Sequence, residues 1–307
     1  MRSRRYPDLP ERGADCAQNQ NEKRNPGHCP NRLAVIGIGP GDIQYMSLRA
    51  VDALAAAEVV AGYTTYMDLI APLTSGKTVL ATPMRSEIER VNRILDQAMQ
   101  GRTCALVCSG DPGIYALSGL VFEVCRERNL SVFKPGQAAA GDADGSQIEI
   151  EVVPGIPALA SGAALLGAPL MHDFAVISLS DLLTPWDVIE TRLEAAGAAD
   201  FVVVLFNPKS KKRTWQLGRA AEILVKYRKP DTPVGIVKSA MRADVRVAIV
   251  RLTDLLDASV VEASVDMQTT VFIGSRASER FSQYMITPRG YHRKYELCLR
   301  QSGRKRH

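Results

Sequence analysis

The stretch LAVIGIGPGDIQYMSLRA, residues 33–50, decides the fold class of this chain. Its first six residues are apolar or glycine and predict a buried strand, which ends at the Gly-Pro-Gly-Asp turn at 39–42. A helical pattern then begins at Ser47, whose hydroxyl is a favoured helix N-cap. A strand, a glycine-rich loop and a helix in this order predict an α/β fold that binds a ligand where the strand ends.

The glycine loop lacks the features of the two common nucleotide-binding loops. A dinucleotide fingerprint needs a third glycine where the helix packs on the strand, and Asp42 stands at that place. A Walker loop ends in Gly-Lys-Ser or Gly-Lys-Thr, and neither triplet follows this loop or the SGDP loop at 109–112. A nicotinamide oxidoreductase and a phosphotransferase are therefore disfavoured, and the ligand stays open at this point.

Alternating strand and helix patterns predict two α/β domains, at residues 32–153 and 154–291, the first of them a parallel unit. The proline-rich stretch VPGIPALASG at 153–162 is the expected hinge, and a cleft between two such halves is a common place for a small ligand. The predicted strands are 33–38, 58–61, 103–108, 148–153, 174–178, 201–206, 234–238, 246–250 and 270–274, and the predicted helices are 47–57, 86–99, 115–127, 157–167, 185–196 and 214–227.

Three segments are predicted to lie outside the packed domains. Residues 1–31 are polar with few aliphatic side chains, which is typical of a flexible, disordered extension. Residues 137–147 are small and polar and predict an exposed, mobile insertion between two strands. Residues 292–307 form a basic tail; such tails can bind nucleic acid or acidic membranes, but a solvated terminus is commoner. We expect neither nucleic acid nor membrane as a partner.

Composition predicts a cytoplasmic globular protein without a metal. The chain has 307 residues, 46% of them hydrophobic, and its first thirty residues contain no apolar signal sequence. The uncharged run at 152–171 is interrupted by prolines and glycines, so it predicts no membrane span. The six cysteines include no C-x-x-C pair and are expected to be reduced and structural. A zinc site from Cys16, His28 and Cys29 would have too few ligands.

Four strand-end loops are the candidates for chemistry. They are GPGD at 39–42, SGDPGIY at 109–115, PGIPA at 154–158 and FNPKSKKR at 206–213. Ligands bind at the carboxyl ends of strands in open α/β sheets. No G-x-S-x-G elbow with a Ser, His and Asp set is present, so hydrolysis is disfavoured.

Individual residues in these loops admit two interpretations each. Asp111 is either an acceptor for a ligand amine or hydroxyl, or part of a tight turn in which it caps the next helix. The four cations within 209–213 are either a solvated helix start or a clamp for an acidic substrate. His172 is either functional or a polar side chain hydrogen-bonded beside Asp173.

The loops, in this order, resemble those of the tetrapyrrole methyltransferase family, as does TPVGIV at 232–237. A narrower resemblance, to a subgroup of that family in cobalamin synthesis, is carried by FNPKSKKR, by MRSEIER at 84–90, by MITPRGY at 285–291 and above all by GAPLMHDFAVISLSDLLTPWDVIETRL at 167–193. The resemblance covers about residues 32–291.

The resemblance implies a function and its partners. The family uses S-adenosylmethionine in a cleft between two α/β domains, and its members are usually homodimers. The subgroup methylates a tetrapyrrole at C-17 and contracts the ring. The implied substrate is precorrin-3B or its cobalt-containing counterpart, cobalt-factor III.

The resemblance also assigns site residues. The donor-binding residues that it implies are Pro40, Ser109, Gly110, Asp111, Pro157, Ala158, Phe206, Asn207, Pro233, Val234 and Gly235. Our candidates for holding substrate carboxylates are Arg85, Lys209, Arg213 and Arg242. Proton transfers during ring contraction could fall to Asp111, Tyr115, His172, Ser180 or Asp181. Many relatives carry Thr or Ser where this chain has Pro157-Ala158, so main-chain atoms are expected to carry more of the donor binding.

Two other functions stay open on the residues alone. A methyltransferase of the same fold could act on ribosomal RNA or on a modified protein histidine, and the basic tail would suit RNA. A non-catalytic nucleic-acid-binding protein would depend on the same tail.

Overall fold

A computed structural model of the chain describes residues 31–137 and 146–295. The predicted N-terminal extension, the centre of the predicted insertion, most of the basic tail and the three zinc candidates Cys16, His28 and Cys29 lie outside these residues.

The first half of the described chain is a parallel sheet with helices, as predicted, and it has six strands where the sequence predicted four. The strands are β1 (Asn31–Gly37), β2 (Val59–Tyr63), β3 (Thr78–Thr82), β4 (Thr103–Cys108), β5 (Ser131–Phe133) and β6 (Gln147–Val153), and the helices are α1 (Leu48–Ala56), α2 (Thr64–Leu69), α3 (Glu87–Met99) and α4 (Ser118–Glu127). The strand order is β3-β2-β4-β1-β6-β5. Because every neighbouring pair is parallel, the loops after β1, β4 and β6 meet at one edge of the sheet.

The second half has a mixed five-stranded sheet. Its elements are α5 (Ala158–Leu166), β7 (Gly167–Ala168), β8 (Phe174–Ser178), α6 (Trp186–Ala198), β9 (Val202–Phe206), α7 (Gln216–Leu224), β10 (Pro233–Lys238), β11 (Arg246–Arg251), α8 (Ala258–Ser264), β12 (Thr269–Ile273), β13 (Glu279–Phe281) and β14 (Tyr284–Ile286). The order is β11-β10-β12-β9-β8, and β13, β14 and β7 form a small separate sheet. Only β8 and β9 pair in parallel in the five-stranded sheet, so β8, β9 and β10 share one direction and their carboxyl ends share one edge.

Apolar side chains cover both faces of the parallel sheet, which explains the continuous apolar runs of its central strands. Helices α1 and α2 bury Leu54 and Met67 against one face. Helices α3 and α4 bury Leu95 and Val121 against the other. A separate cluster around α6, α7 and the mixed sheet forms the core of the second half.

The predicted element boundaries are correct where local signals are strong. The Ser47 hydroxyl accepts a hydrogen bond from the Ala50 amide at 3.2 Å and caps α1, as predicted. The helix predicted from residue 115 begins instead at Ser118, because Tyr115 has a φ of 52°, which a helix does not allow. Strand β3 was not predicted; it is an edge strand whose residues are mostly exposed, so it lacks an apolar run.

None of the helices in the described ranges is both long enough and apolar enough to span a bilayer.

The three cysteines within the described ranges are buried free thiols. Burial raises the pKa of Cys104 to about 12 and that of Cys108 to about 11, and it also raises the pKa of Cys125. Only thiolates react with iodoacetamide, so we expect all three to stay unmodified at pH 8 in the folded protein and to react after unfolding. Peptide mass spectrometry measures this; rapid native labelling of Cys104 would contradict the packing.

Candidate active site

Glycines bring the loops after β1, β4 and β6 into backbone contact. Gly39 and Gly110 exchange two hydrogen bonds, with N to O distances of 3.1 and 2.7 Å. A Cβ atom on Gly37 would lie 2.5 Å from the Gly110 carbonyl oxygen, and one on Gly155 would lie 2.1 Å from the same oxygen. No side chain fits at either position. The GPGD, SGDP and PGI loops therefore form one joined rim.

The Asp111 side chain links two loops of this rim. Its Oδ1 accepts a hydrogen bond from the Gly113 amide at 2.8 Å, and its Oδ2 accepts one from the Gly155 amide at 3.1 Å. The carboxylate thus caps its own turn and ties it to the PGI loop. It does not cap the next helix, because α4 begins only at Ser118. Carboxylate oxygens accept several hydrogen bonds, so lone pairs remain for a ligand.

The second half contributes a polar group at the ends of β8 and β9. Asn207 has a φ of 52°, and its Nδ2 donates to the Ser178 hydroxyl at 3.0 Å. Arg213 donates from Nε to the Asn207 carbonyl at 2.8 Å and from Nη1 to the Ser180 hydroxyl at 3.2 Å. Gln216 holds Asp181 through a 3.0 Å bond from Nε2 to Oδ2.

The electrostatics of Arg213 favour an anionic ligand. Burial lowers the pKa of Arg213, because the guanidinium loses hydration, and the carboxylate of Asp181 partly offsets this. Its hydrogen-bond partners are neutral, and the part of the chain that the structure describes shows no ion pair for it. No described residue bonds its Nη2, which can therefore bind a carboxylate.

The two halves meet through side chains at this edge. The Tyr115 hydroxyl donates to the Val176 carbonyl at 3.0 Å, and the Tyr115 ring lies 5.5 Å from the Phe206 ring, centroid to centroid. From the other side, Arg242 donates from Nε to the Pro40 carbonyl at 2.6 Å. The structure therefore brings together the predicted residues of the first three loops, Tyr115, Phe206, Asn207, Arg213 and Arg242.

His172 is not part of this group. It is exposed and precedes the amino end of β8, where Phe174 pairs with Val202. The site residues follow the other end of the strand, where Ser178 pairs with Phe206. The length of β8 therefore separates His172 from the joined rim.

Pro233, Val234 and Gly235 are also placed away from the loops. Val234 of β10 pairs with Ile273 of β12, and Ile273 pairs in turn with Val203 of β9. Val234 therefore lies level with the interior of β9 and not with the carboxyl end of β9. All three residues are buried, and a Cβ atom on Gly235 would lie 2.4 Å from a Leu166 methyl carbon.

Two of the four cations predicted to hold substrate carboxylates, Lys209 and Arg85, are not part of the group described above. Lys209 forms an ion pair with Glu262, and its side chain is only 13% exposed, so its charge is already compensated. Arg85 follows β3 at the loop edge and is exposed; its backbone amide donates to Glu87 at 3.1 Å.

Sequence reasoning named Arg242 as a candidate but did not include the loop that follows β10 among the loops of the site. This loop carries Arg242, and it holds Ser239 and Met241 at φ values of 49° and 58°. The Ser239 hydroxyl bonds Asp244 and Gln268, which fixes the loop. The available signal was the polar SAMRAD stretch directly after an apolar strand.

Comparisons with known proteins identify the family. The family described as tetrapyrrole (corrin/porphyrin) methylases matches residues 32–256. The chain therefore belongs to this family, and it is a methyltransferase. The resemblance found in the loops is confirmed.

Three individual relatives within this family have names that refer to cobalt-factor III or precorrin-3B. The chain is 44% identical over 259 residues to a probable cobalt-factor III C(17)-methyltransferase of Salmonella typhimurium, covering 84% of this chain and 99% of the relative. It is 45% identical over 266 residues to the cobalt-factor III methyltransferase of Priestia megaterium, covering 87% of this chain but only 46% of that longer relative. It is 38% identical over 264 residues to a precorrin-3B C(17)-methyltransferase of a Sinorhizobium species, covering 84% and 96%.

A solved structure supports the same fold. The crystal structure of the methyltransferase CobJ aligns with a TM-score of 0.73 at 33% identity, covering 83% of this chain and 99% of that one. The predicted α/β fold is confirmed.

Proposed function

We propose that this protein transfers a methyl group from S-adenosylmethionine to C-17 of precorrin-3B or cobalt-factor III, with contraction of the ring, in cobalamin synthesis. One observation carries the proposal: the joined rim of the GPGD, SGDP and PGI loops faces Phe206, Asn207 and Arg213 of the second half. The 44% identity to a relative matched over 99% of its length supports the reaction.

The donor fits the joined rim by its chemistry. Glycines stand where the rim backbones meet, so peptide N–H and C=O groups of the rim can approach a ligand closely. Such groups suit the polar amino-acid and ribose parts of S-adenosylmethionine. We place the donor against Pro40, Ser109, Gly110, Asp111, Pro157, Ala158, Phe206 and Asn207. Pro233, Val234 and Gly235 are left out of this proposal, because they are buried and lie away from the carboxyl end of β9.

Positioning accounts for most of the catalysis in this proposal. When bound, S-adenosylmethionine supplies an electrophilic methyl group, and the tetrapyrrole supplies an electron-rich carbon. No protein nucleophile is then needed, and the chain has to bind and orient two partners, which by itself can supply much of a rate enhancement. The rigid rim, with Asp111 tying two of its loops, provides a fixed platform for this orientation.

Ring contraction needs proton transfers, and three groups at the loop edge can carry them. Tyr115, Ser180 and Asp181 lie in the loops of the two halves that face each other. Asp181 is held by Gln216 and is exposed on its other side, so it can accept a proton. We propose Asp181 as the first candidate.

Arg213 is expected to hold a substrate carboxylate through its free Nη2. Changing Arg213 to Ala should raise the KM for the tetrapyrrole roughly 10- to 100-fold, because a charged hydrogen bond contributes about 1.5–3 kcal/mol. Steady-state kinetics with each substrate varied in turn measure this. The KM for S-adenosylmethionine should stay unchanged.

The matched control is Arg192, an exposed arginine on α6. Arg192→Ala should leave both KM values unchanged. Equal KM increases for both substrates in Arg213→Ala would instead mean that Arg213 only supports the Asn207 loop.

We further propose that the protein acts in the cytoplasm as a homodimer. The edge strand β11 and the β13–β14 hairpin expose Val247, Phe281 and Tyr284, which favours association with a second copy. Size-exclusion chromatography with light scattering tests this.

The experiment that tests the reaction is incubation with S-adenosylmethionine and either precorrin-3B or cobalt-factor III, followed by mass and absorbance analysis. A single added methyl group with a shifted spectrum is the expected result, and the substrate that reacts identifies the oxygen-requiring or oxygen-independent route. Donor binding without tetrapyrrole methylation would reject the proposal and direct attention to RNA and protein acceptors.

A further inference from the structure

Arg90 is a buried cation without a buried counter-charge. It lies on α3 and is 3% exposed. Its Nε donates to the Thr82 hydroxyl at 2.6 Å, and its Nη2 donates to the Pro83 carbonyl at 3.0 Å. Within residues 31–137 and 146–295, no carboxylate forms an ion pair with it. Burying an unpaired guanidinium is costly, so proteins usually provide an anion.

Arg242 is a second cation in the same condition. It is half-buried, and it donates from Nε to the Pro40 carbonyl and from Nη2 to the Ser109 hydroxyl, at 2.6 and 3.4 Å. Both acceptors are neutral, and no ion pair with Arg242 is found in the described part of the chain. Like Arg90, it lacks a counter-charge.

The sheet register places the two arginines near each other. Arg90 bonds the end of β3, where Thr82 pairs with Tyr63 of β2. Arg242 bonds Ser109 at the end of β4, the next strand beyond β2. Neighbouring strands lie about 4.8 Å apart, so these three strand ends occupy one short stretch of the sheet edge.

Tyr66, one turn after the end of β2, completes the cluster. Both arginines act electrostatically on its phenol, and burial dominates and raises its pKa, so the hydroxyl is protonated at neutral pH. No hydrogen bond to this hydroxyl is found among the described residues, although the Tyr66 ring packs edge-on against Tyr63 with the centroids 5.1 Å apart. Among the described residues its O–H donor is therefore unused, and it lies within the electrostatic influence of both arginines.

We propose that Arg90, Arg242 and Tyr66 form a receptor for one carboxylate of the bound ligands. The inference deepens the proposed function and rests on it. Guanidinium groups and a phenol donor match the oxygens of a carboxylate, and a ligand carboxylate would supply the missing negative charge. Both reaction partners carry this group: S-adenosylmethionine in its amino-acid part, and the tetrapyrrole in its side chains.

The test compares S-adenosylmethionine with decarboxylated S-adenosylmethionine, which lacks only the carboxylate. Calorimetry is carried out on the wild type, Arg242→Gln, Arg90→Gln and Tyr66→Phe. If the receptor holds the donor, Arg242→Gln should weaken S-adenosylmethionine binding at least tenfold and leave binding of the decarboxylated compound unchanged. If it holds the tetrapyrrole, both donor affinities should stay unchanged, and the KM for the tetrapyrrole should rise at least tenfold.

Arg93→Gln is the matched control. Arg93 lies on α3 three residues after Arg90, is 46% exposed and pairs with Glu89. We expect it to behave as the wild type. Should Arg90→Gln fail to fold, Arg242→Gln and Tyr66→Phe still decide the question.

Affinities and KM values of Arg242→Gln and Tyr66→Phe within twofold of the wild type would overturn the receptor. So would equal losses for the two donor compounds, because these would indicate only a displaced loop. Failure of the proposed function can be distinguished from failure of the receptor. In that case the wild-type protein would bind the donor but methylate neither tetrapyrrole.

Discussion

Changing Gly155 to Ala should lower the free energy of unfolding by about 3 kcal/mol and abolish donor binding, because the added methyl group overpacks a close contact between backbones. The new Cβ would lie 2.1 Å from the Gly110 carbonyl oxygen and 2.7 Å from that of Gly37. Both atoms belong to the backbone, which cannot turn away as a flexible side chain can. The SGDP and PGI loops must then separate.

Urea denaturation and donor calorimetry measure the two effects. Gly218 provides the control: it lies within α7, and a Cβ atom there would meet nothing within 4 Å. Gly218→Ala should raise the free energy of unfolding by about 0.5–1 kcal/mol through helix propensity and leave donor binding unchanged. A Gly155→Ala protein with wild-type stability and donor affinity would contradict the close approach of the loops.

Changing Asp111 to Ala should weaken S-adenosylmethionine binding roughly 100-fold. The substitution removes the acceptor of the Gly113 and Gly155 amides, and hydrogen bonds to charged groups contribute about 1.5–3 kcal/mol each. Both amides then need new partners, and the PGI loop loses its tie to the SGDP loop. Calorimetric titration with S-adenosylmethionine gives the loss directly.

Asp111→Asn separates the structural contribution from the charge. Its amide oxygen can still accept from Gly113, but its NH₂ group cannot accept from Gly155 if the side chain keeps its orientation. We expect an intermediate affinity. Donor binding by Asp111→Ala at the wild-type level would show that the tie is dispensable and would remove Asp111 from the donor site.

The sequence was informative about the site wherever the signal was local. The run from β1 through the GPGD turn to the Ser47 cap predicted a strand, a loop and a helix, and the structure has all three. The order of the four loops also predicted the methyltransferase family correctly. The tight turn at Asp111 was foreseen in one of two alternatives, but the helix cap that this alternative included is not formed, because α4 begins only at Ser118.

Long-range pairings could not be predicted in this way. The partner of Asp111 in the PGI loop is 44 residues away, and the partner of Arg242 in the GPGD loop is 202 residues away. Similarly, the exclusion of Pro233–Gly235 from the loop edge follows from the register of β10 against β12 and β9. The identity of a residue does not specify the residue of the neighbouring strand with which it pairs, so the register could not be predicted from the sequence.

The sequence by itself determined the strands with a clear apolar pattern, the turns and the chemistry of each loop, because these follow from local apolar pattern, glycine freedom and capping within a few residues. Only the tertiary structure decided which loops touch, that Lys209 is neutralised by Glu262, and that no residue in the described ranges forms an ion pair with Arg90 or Arg242. The physical reason is that charge compensation and close backbone approach depend on distances between segments far apart in the chain, and strand register and packing set those distances.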